Sequence, residues 1–410
     1  MHRVVVSGIG VLSALGPDCE TFWQALSHGE SGIGPIPQDV GPSPEVGMDQ
    51  VRFKNAGVIR GFEPELHFER KNLTFMDRFA QYTVVAAREA VEAAQVEWTP
   101  ELRENTLIVT GTCMGGRWAE ESGYWELFHH GRSRVHPLTI PLGMSNAGAS
   151  HISIEFGIQG PAYTVSTACS SSAHALGQAF WMVRSGSAPM AIAGGSEAPL
   201  FLGGLKAWEA MRVVSPDTCR PFSKDRSGMV LGEGAAMMIL EPLESALARG
   251  VRPLGEIVGF GMSADACHMT QPSAEGAARA IRAAMRDAKL SSEQIGYINA
   301  HGTGTEANDR MEVQAIRAIF GNHADQLAVS STKSMHGHTL GAAGALEAAA
   351  TVLALGRAIL PPTANYTTPD PACDLDVIPN EARPAQVEAA LSQSFAFGGL
   401  NAVLAFRTYN

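Results

Sequence analysis

Paired cysteines and an excess of basic charge are both missing from this chain of 410 residues. The six cysteines are spread along the chain, and no two stand in the CxxC spacing that is typical of zinc ribbons and redox motifs. The 30 Lys+Arg against 41 Asp+Glu give a formal net charge of −11, which argues against a protein dominated by nucleic-acid binding. The pattern therefore indicates free thiols in a reducing cytoplasm rather than a disulfide scaffold.

Long apolar runs without interruption are missing as well. Residues 4–15 follow Arg3 and loosely imitate a signal peptide, but β-branched residues and a Gly-Pro turn at their end predict a buried first strand. Residues 339–360 have the length of a membrane span, but Glu347 and Arg357 interrupt them, which predicts a buried, tightly packed helix. With no export or membrane signal left, we expect a cytoplasmic protein that has no membrane partner.

The rest of the chain alternates between short apolar runs and helical patterns, which predicts an α/β fold with a buried sheet. The candidate strands cover residues 3–7, 107–110, 163–166, 190–193, 237–240, 255–259, 297–299 and 329–330. The candidate helices cover residues 77–94, 170–185, 274–288, 309–320 and 342–355.

Three further patterns concern the layout of the chain. Several of the candidate helices carry alanine or glycine on every face and need cover on every side, so we expect helices sandwiched between sheets. Residues 4–10 and 257–262 share an apolar pattern with glycines, which hints at two similar halves. Clustered proline and glycine predict a surface loop over residues 35–51 and an extended loop over residues 361–384.

Cys169 is the first candidate for chemistry, because it stands where a β-branched run meets a serine cluster and a helical pattern. This order places it on a strand-to-helix turn, at the N-terminus of a helix. There the helix dipole and free backbone N–H groups lower the pKa of a thiol, and the same groups can stabilise an oxyanion on a bound carbonyl. The pattern fits an activated nucleophile, and a buried structural cysteine is the alternative at this point.

Two histidine-containing motifs follow predicted strand ends. In residues 299–305, His301 precedes glycines that alternate with threonines, so the backbone can approach an extended substrate that the threonine hydroxyls hold. In residues 331–338, Lys333 and His338 stand in a polar turn before a tightly packed helix. A zinc site built from His301, His336 and His338 is the alternative, but no carboxylate or cysteine has ligand spacing nearby.

A fourth motif, at residues 394–401, places Phe395 and Phe397 beside a Gly-Gly turn, either as core or as a mobile loop over an apolar pocket. Together and in this order, the four motifs resemble those of the β-ketoacyl-acyl-carrier-protein synthases, the type II condensing enzymes of the thiolase superfamily. The resemblance runs from residues 4–10 to residues 401–406 and is closest to synthase II. Residues 307–309 and 370–380 are also similar to the nodulation-type and polyketide-type branches.

This resemblance implies a five-layered αβαβα fold with two related halves, residues 1–250 carrying the nucleophile and residues 251–410 carrying the two histidines. It implies decarboxylative condensation of a Cys-bound acyl chain with malonyl-acyl-carrier protein, which elongates a fatty acyl, polyketide or polyene chain. It also implies a homodimer, with a heterodimer that contains a chain-length subunit as the alternative. No metal and no resident cofactor are expected, because the substrates carry phosphopantetheine.

The resemblance also implies roles for the catalytic candidates. Cys169 accepts the acyl chain from its carrier thioester. His301 and His338 support decarboxylation and hold the developing enolate oxygen, which two imidazole N–H groups can do without a metal. Lys333 orients the site, with Glu347 behind it.

Further residues are implied to contact the substrates. They are Phe397 for gating and for the oxyanion hole, Thr303 and Thr305 for phosphopantetheine, Met114 for the inner acyl pocket, and Lys71 and Arg212 for the acidic carrier protein. Thr74 and Phe75 stand where housekeeping synthases carry basic residues, so the predicted basic site for the carrier is thinner here.

Three other classes share the implied fold. A non-catalytic chain-length subunit lacks the nucleophile, which Cys169 supplies here. A degradative thiolase carries a second active-site cysteine near its C-terminus, where residues 395–401 stand instead. A starter enzyme that uses acyl-CoA has a Cys-His-Asn triad, and His338 occupies the third place. The sequence therefore favours an active elongating enzyme.

Overall fold

The computed structural model of the protein describes residues 1–38, residue 40 and residues 47–409. In chain order, their strands are β1 Val4–Ser13, β2 Ile33–Pro35, β3 Asn55–Gly57, β4 Leu107–Gly111, β5 Ala162–Val165, β6 Ala191–Glu197, β7 Gly234–Pro242, β8 Gly255–Ala264, β9 Ile295–Asn299, β10 Ala328–Ser330, β11 Ile359–Leu360, β12 Arg383–Pro384, β13 Ala389–Ala396 and β14 Leu400–Arg407. The predicted surface loop at residues 35–51 lies partly outside the described residues.

The described residues also form fifteen α-helices. In chain order, they are α1 Cys19–Ser27, α2 Pro64–His67, α3 Arg70–Leu73, α4 Arg78–Ala93, α5 Pro100–Asn105, α6 Arg117–Phe128, α7 Thr139–Gly143, α8 Ala147–Phe156, α9 Ser171–Arg184, α10 Leu202–Met211, α11 Leu243–Ala248, α12 Ala274–Ala288, α13 Glu306–Phe320, α14 Lys333–His336 and α15 Ala343–Arg357.

The main sheet of the described residues has ten strands in the order β10-β9-β13-β14-β8-β1-β7-β6-β4-β5. Its two ends are built alike. From the outer edge of the sheet to its centre, the strands of the first half of the chain have the order β5-β4-β6-β7-β1. These are the third, second, fourth, fifth and first strands of that half along the chain. The strands of the second half repeat this order as β10-β9-β13-β14-β8. The halves join where β1 pairs antiparallel with β8, from Val4 opposite Ile257 to Val6 opposite Gly255. The prediction of two related halves is confirmed.

Helices cover both faces of each half-sheet. α4 and α8 pack together on the first half, while α12 packs on β8 and β14 of the second half with α13 beside it. Between the two half-sheets, α9 and α15 contact each other and also contact strands of both halves. These contacts give the five layers αβαβα, so the predicted fold class is confirmed.

α15 and the turn before it form the apolar run that has the length of a membrane span. Within the described residues, Leu340–Arg357 is the one helical stretch that is long and apolar enough to cross a membrane, and 89% of it is buried inside the protein. Glu347, in its middle, is fully buried and forms an ion pair with Lys333. A Cβ added at Gly344 would lie 2.8 Å from the Cβ of Ala173 in α9, so the two central helices touch closely. The run is therefore interior core, as predicted.

Every predicted strand and helix is found, with its ends shifted by a few residues, but other elements escaped prediction. β1 continues beyond the predicted end because Gly10 lets α4 approach, and a Cβ there would lie 1.9 Å from the carbonyl oxygen of Ala86. α6 and α8 were missed because exposed apolar side chains such as Phe128 and Ile154 obscure the helical period. β14 was also missed, although its residues 401–406 are buried against the sheet.

Candidate active site

One cavity of about 230 Å³ brings the four motifs together. The members of these motifs that line it are Cys169, His301, Thr303, Thr305, His338, Phe395, Ala396, Phe397 and Gly399. The first comes from the N-terminal half of the chain and the others come from the C-terminal half. The cavity therefore lies where the two halves meet, and each half supplies a different kind of functional group.

Cys169 lies at a sharp turn between β5 and α9. Ala168, just before it, has a left-handed φ of 52°, which costs energy for a residue other than glycine and is maintained by the surrounding packing. Ser170 is the N-cap of α9, and its hydroxyl donates to the carbonyl of Leu400 at 2.9 Å, which ties the turn to the C-terminal half. The predicted position of Cys169 at a helix N-terminus is confirmed.

The pKa of Cys169 departs from the sequence-based expectation. Burial raises the pKa of the thiol to about 11, while the charge of Lys333 and a hydrogen bond from the Phe397 N–H lower it. The expected fall in pKa is therefore wrong, because the thiol is only 7% exposed and the loss of solvation outweighs the favourable groups. The thiol is the resting form, so its proton must leave during any acyl transfer.

We expect this raised pKa to appear in alkylation experiments. The rate of Cys169 modification by iodoacetamide should rise about tenfold per pH unit from about pH 7 to about pH 10, since only the thiolate reacts. Mass spectrometry of the peptide that contains Cys169, over a series of pH values, measures this rate. A plateau reached near pH 8 would contradict the raised pKa and favour dominance of the helix dipole.

His301 and His338 lie side by side on the cavity wall in an edge-to-face arrangement, with ring centroids 5.4 Å apart and planes at 85°. Lys333 Nζ lies 3.3 Å from His301 Nδ1, and the Leu340 N–H donates to His338 Nδ1 at 3.3 Å. Because both Nδ1 atoms accept from a neighbouring donor, each neutral ring carries its proton on Nε2. The two rings therefore offer two N–H donors to a group bound in the cavity.

The electrostatics of the site keep both imidazoles neutral. Burial lowers the pKa of His301 and of His338 well below 6.5, and the positive charge of Lys333 lowers both further. Neutral rings suit a role as hydrogen-bond donors to an oxygen that gains negative charge, since such donors need not lose a proton.

Lys333 and Glu347 form a fully buried ion pair behind the histidines. Lys333 Nζ also donates to the carbonyl of His301 at 2.6 Å. Burial raises the pKa of Glu347 to about 7, although Lys333 lowers it. The pair fixes the backbone and the ring of His301 at once, so its position suits orientation of that histidine rather than direct chemistry.

The Thr303 and Thr305 hydroxyls lie 2.8 Å apart on the cavity wall. Thr305 is also the N-cap of α13, and its hydroxyl accepts from the Asn308 N–H. Glu312, on α13, accepts from the N–H groups of His301 and Gly302, both at 2.7 Å. The helix start and this carboxylate therefore hold the histidine–threonine loop in one conformation.

Three other residues singled out in the sequence are not among the residues that line the cavity. Met114 packs in the same apolar cluster as Cys169, but it is not among the cavity-lining residues. Lys71 is exposed and paired with Glu69 at 2.7 Å, and Arg212 is exposed just after α10. Both lie on the surface, outside the cavity wall.

His336 is buried and turned away from His338. Its Nδ1 contacts the carbonyl of Gly337 at 2.7 Å, and its Nε2 contacts the Thr332 hydroxyl at 3.0 Å. Both ring nitrogens are thus engaged by the protein. Among the residues that the structure describes, no group of three or more His, Cys, Asp or Glu side chains could hold a metal ion.

The cavity wall also contains residues that the sequence did not reveal. Trp208 and Met211 on α10 line it, as do residues 268–272 after β8. The segment after β8 is tied to the Phe397 loop, because Gly398 N–H donates to the carbonyl of Met269 at 2.7 Å. Polar residues after a strand are a signal that could have found this segment, whereas nothing in the helical pattern marks Trp208.

Comparisons with known proteins agree with this geometry. Two family models match the chain, "Beta-ketoacyl synthase, N-terminal domain" over residues 1–246 and "Beta-ketoacyl synthase, C-terminal domain" over residues 254–367. The chain is 46% identical over 408 residues to Nodulation protein E of Rhizobium sp. (strain N33), with 99% of each covered. It is 41% identical over 415 residues to 3-oxoacyl-(acyl-carrier-protein) synthase 2 of Synechocystis sp., with 99% of this chain and 98% of the relative covered.

Solved structures are similar over the whole length. The ishigamide ketosynthase/chain length factor has a TM-score of 0.94 and 36% identity, with 100% of both chains covered. The ketosynthase ApeO in complex with its chain length factor ApeC from Xenorhabdus doucetiae has a TM-score of 0.82 and 28% identity, with 100% of this chain and 98% of that chain covered.

Proposed function

The chain belongs to the β-ketoacyl synthase family of acyltransferase-type condensing enzymes, and we propose that it extends an acyl chain held on Cys169 with a malonyl group carried by an acyl-carrier protein. One observation carries the assignment of roles: a cysteine at a helix start shares a cavity with two neutral imidazoles that both present Nε2–H. The cysteine can hold an acyl group, and the imidazoles can stabilise an enolate.

The first step transfers the acyl group. Cys169 Sγ attacks the thioester carbonyl of the acyl-carrier protein, and the carbonyl oxygen becomes an oxyanion. The N–H groups of Cys169 and Phe397 are the proposed donors to it, and the contact of the Phe397 N–H with the sulfur supports this role. The carbon–sulfur bond to the carrier then breaks, and the proton of the Cys169 thiol ends on the departing carrier thiol.

The second step joins the two chains. The thioester oxygen of the malonyl group accepts hydrogen bonds from His301 and His338, and the bond to the terminal carboxylate breaks to release CO₂. The electron pair of that bond forms an enolate, whose carbon attacks the acyl carbonyl on Cys169. The cysteine leaves as a thiolate and regains a proton from solvent. Lys333 and Glu347 act as positioning residues for His301 in this proposal.

Recognition of the carrier completes the proposal. The Thr303 and Thr305 hydroxyls on the cavity wall suit the polar groups of phosphopantetheine. Lys71 and Arg212 are exposed cations that suit an acidic carrier surface. The reaction needs no resident cofactor, because backbone and imidazole N–H groups supply the stabilisation of charge. We place it in the cytoplasm, where the six free cysteines would stay reduced.

A second subunit has a natural place at the end of the sheet. β5 is an edge strand, and within the described residues no strand pairs with its outer side. Ile154, on the adjoining helix α8, is 75% exposed. An edge strand with apolar surroundings favours pairing with another chain. We propose that this partner is a second copy, and light scattering of the purified protein measures its mass.

A related second function is a ketosynthase subunit that works only beside a chain-length subunit. The solved ketosynthases that form complexes with chain length factors support this alternative. Reconstitution with purified acyl-carrier protein tests both functions. The proposed function requires that the chain alone converts acyl-carrier and malonyl-carrier protein to a 3-oxoacyl product and CO₂. Activity that appears only after a partner is added would replace it with the second function, and no condensation in either case would contradict both.

Chain length gives a further prediction. Met114 packs in the same apolar cluster as Cys169, and its backbone N–H donates to Glu197 at 3.1 Å. We propose that its side chain limits a tunnel for the acyl chain. Replacing Met114 with Trp should block that space and shift preference to short primers, since each buried CH₂ contributes about 0.8 kcal/mol. The measurement is kcat/KM over acyl-carrier substrates of increasing length. Iodoacetamide should still modify Cys169, and an unchanged length profile would place the tunnel elsewhere.

A further inference from the structure

Trp208 lies on the cavity wall but has no role in the reaction proposed above. It lies near the end of α10 and lines the same cavity as Cys169. Its indole stacks on the ring of Phe397, with centroids 6.2 Å apart and planes at 29°. Phe397 lines this cavity together with Cys169, and a hydrogen bond from its backbone N–H lowers the pKa of the Cys169 thiol. Phe397 thus stacks on Trp208 through its ring and donates a hydrogen bond to Cys169 through its backbone N–H.

The two partners of this stack differ in how firmly they are held. The helix that carries Trp208 is anchored to the segment after residue 47, because Glu209 accepts from the Arg52 N–H and Lys206 donates to the carbonyl of Gln50 at 2.7 Å. Phe397 instead lies in the short connection between β13 and β14, followed by Gly398 and Gly399 with φ values of 83° and 69°. A stack between a fixed indole and a ring on a glycine-rich turn restrains the turn more than the helix.

We infer that Trp208 is a positioning residue that holds Phe397 in the place where its backbone N–H can donate a hydrogen bond to the reacting atoms at Cys169. The inference rests on the proposed function, because it assigns Trp208 a part in the acyl-transfer steps alone. Malonyl decarboxylation depends on His301 and His338, which Lys333 and Leu340 orient independently of Trp208. Loss of the stack should therefore separate the two activities.

The test compares acyl loading of Cys169 with release of CO₂ from malonyl-carrier protein supplied without an acyl donor. A stacked aromatic pair shifts a conformational equilibrium by roughly 2- to 12-fold. Trp208→Ala should slow acyl loading by about this factor and leave decarboxylation at the wild-type rate. Trp208→Phe should recover most of the loading rate, because a smaller ring still stacks.

Two further variants separate positioning from general damage. Trp98→Ala removes an indole that lies outside the cavity, with its ring centroid 5.6 Å from that of Phe156. This variant should leave the rates of acyl loading and decarboxylation unchanged. Phe397→Ala keeps the backbone N–H but removes the stack, so adding Trp208→Ala to it should have no further effect on loading. This second comparison also remains informative if Trp208→Ala alone is poorly folded.

The outcomes are distinct. Three results would overturn the role of Trp208 and leave the proposed function in place. They are acyl loading at the wild-type rate in Trp208→Ala, an equal fall in its loading and decarboxylation rates, and additive effects of Trp208→Ala and Phe397→Ala on loading. A wild-type protein that neither loads acyl groups nor decarboxylates malonyl-carrier protein would overturn the proposed function and this inference together.

Discussion

Replacing Cys169 with alanine should abolish formation of the covalent acyl-enzyme and, with it, all condensation. No other thiol lines the cavity, within the described residues, so no second nucleophile stands beside the histidines. The measurement is intact-protein mass spectrometry after incubation with acyl-carrier protein, in which the wild type gains the mass of one acyl group. A cerulenin-type epoxide should modify the same thiol in the wild type and leave the variant unmodified.

Cys113 provides the matched control for this experiment. It packs in the same apolar cluster as Cys169, but burial and the charge of Glu197 raise the pKa of its thiol far above the usual range. Cys113→Ala should therefore still form the adduct. An acyl adduct that persists in Cys169→Ala, or that disappears in Cys113→Ala alone, would contradict the assignment of the nucleophile.

The second large effect should come from the two histidines. His301→Ala and His338→Ala should each lower the rate of malonyl decarboxylation by ~10²–10³, because each removes one N–H donor to the developing enolate oxygen. Both variants should still accept acyl groups on Cys169, at least in part, since the proposed oxyanion hole is made of backbone N–H groups. Release of CO₂ and acyl loading, measured separately, distinguish the two steps.

His336→Ala is the matched control, because His336 lies beside the site but uses both ring nitrogens for contacts with Thr332 and Gly337. Its effect on decarboxylation should be small compared with the other two. If either His301→Ala or His338→Ala elongates at the wild-type rate, its role is wrong. Loss of bound zinc in His336→Ala would revive the metal interpretation.

The sequence predicted the elements that carry the nucleophile and the histidines because each of them follows a simple local rule. Cys169 stands between a β-branched run and a helical pattern, and His301 follows a buried strand. Both patterns depend on near neighbours, which a single sequence displays. The order of the four motifs then indicated the fold class, which the sheet order confirms.

What the sequence did not provide depends on contacts between distant segments. The pKa of Cys169 was predicted in the wrong direction, because its burial is created by the whole cavity rather than by the helix start. Trp208 gave no local signal, and only the fold brings it to Phe397. The proton positions on the histidines likewise depend on Lys333 and Leu340, whose distances no spacing rule predicts.

The repeated strand order has a consequence for how such a site can arise. Two consecutive stretches with the same order are what gene duplication leaves behind, and α9 and α15 then occupy equivalent places after the third strand of each copy. The segment before α9 carries Cys169, while the segment before α15, which includes the short helix α14, carries Lys333 and His338. In the proposed mechanism the two equivalent segments have different tasks, because the first holds the growing chain and the second helps to activate the unit to be added.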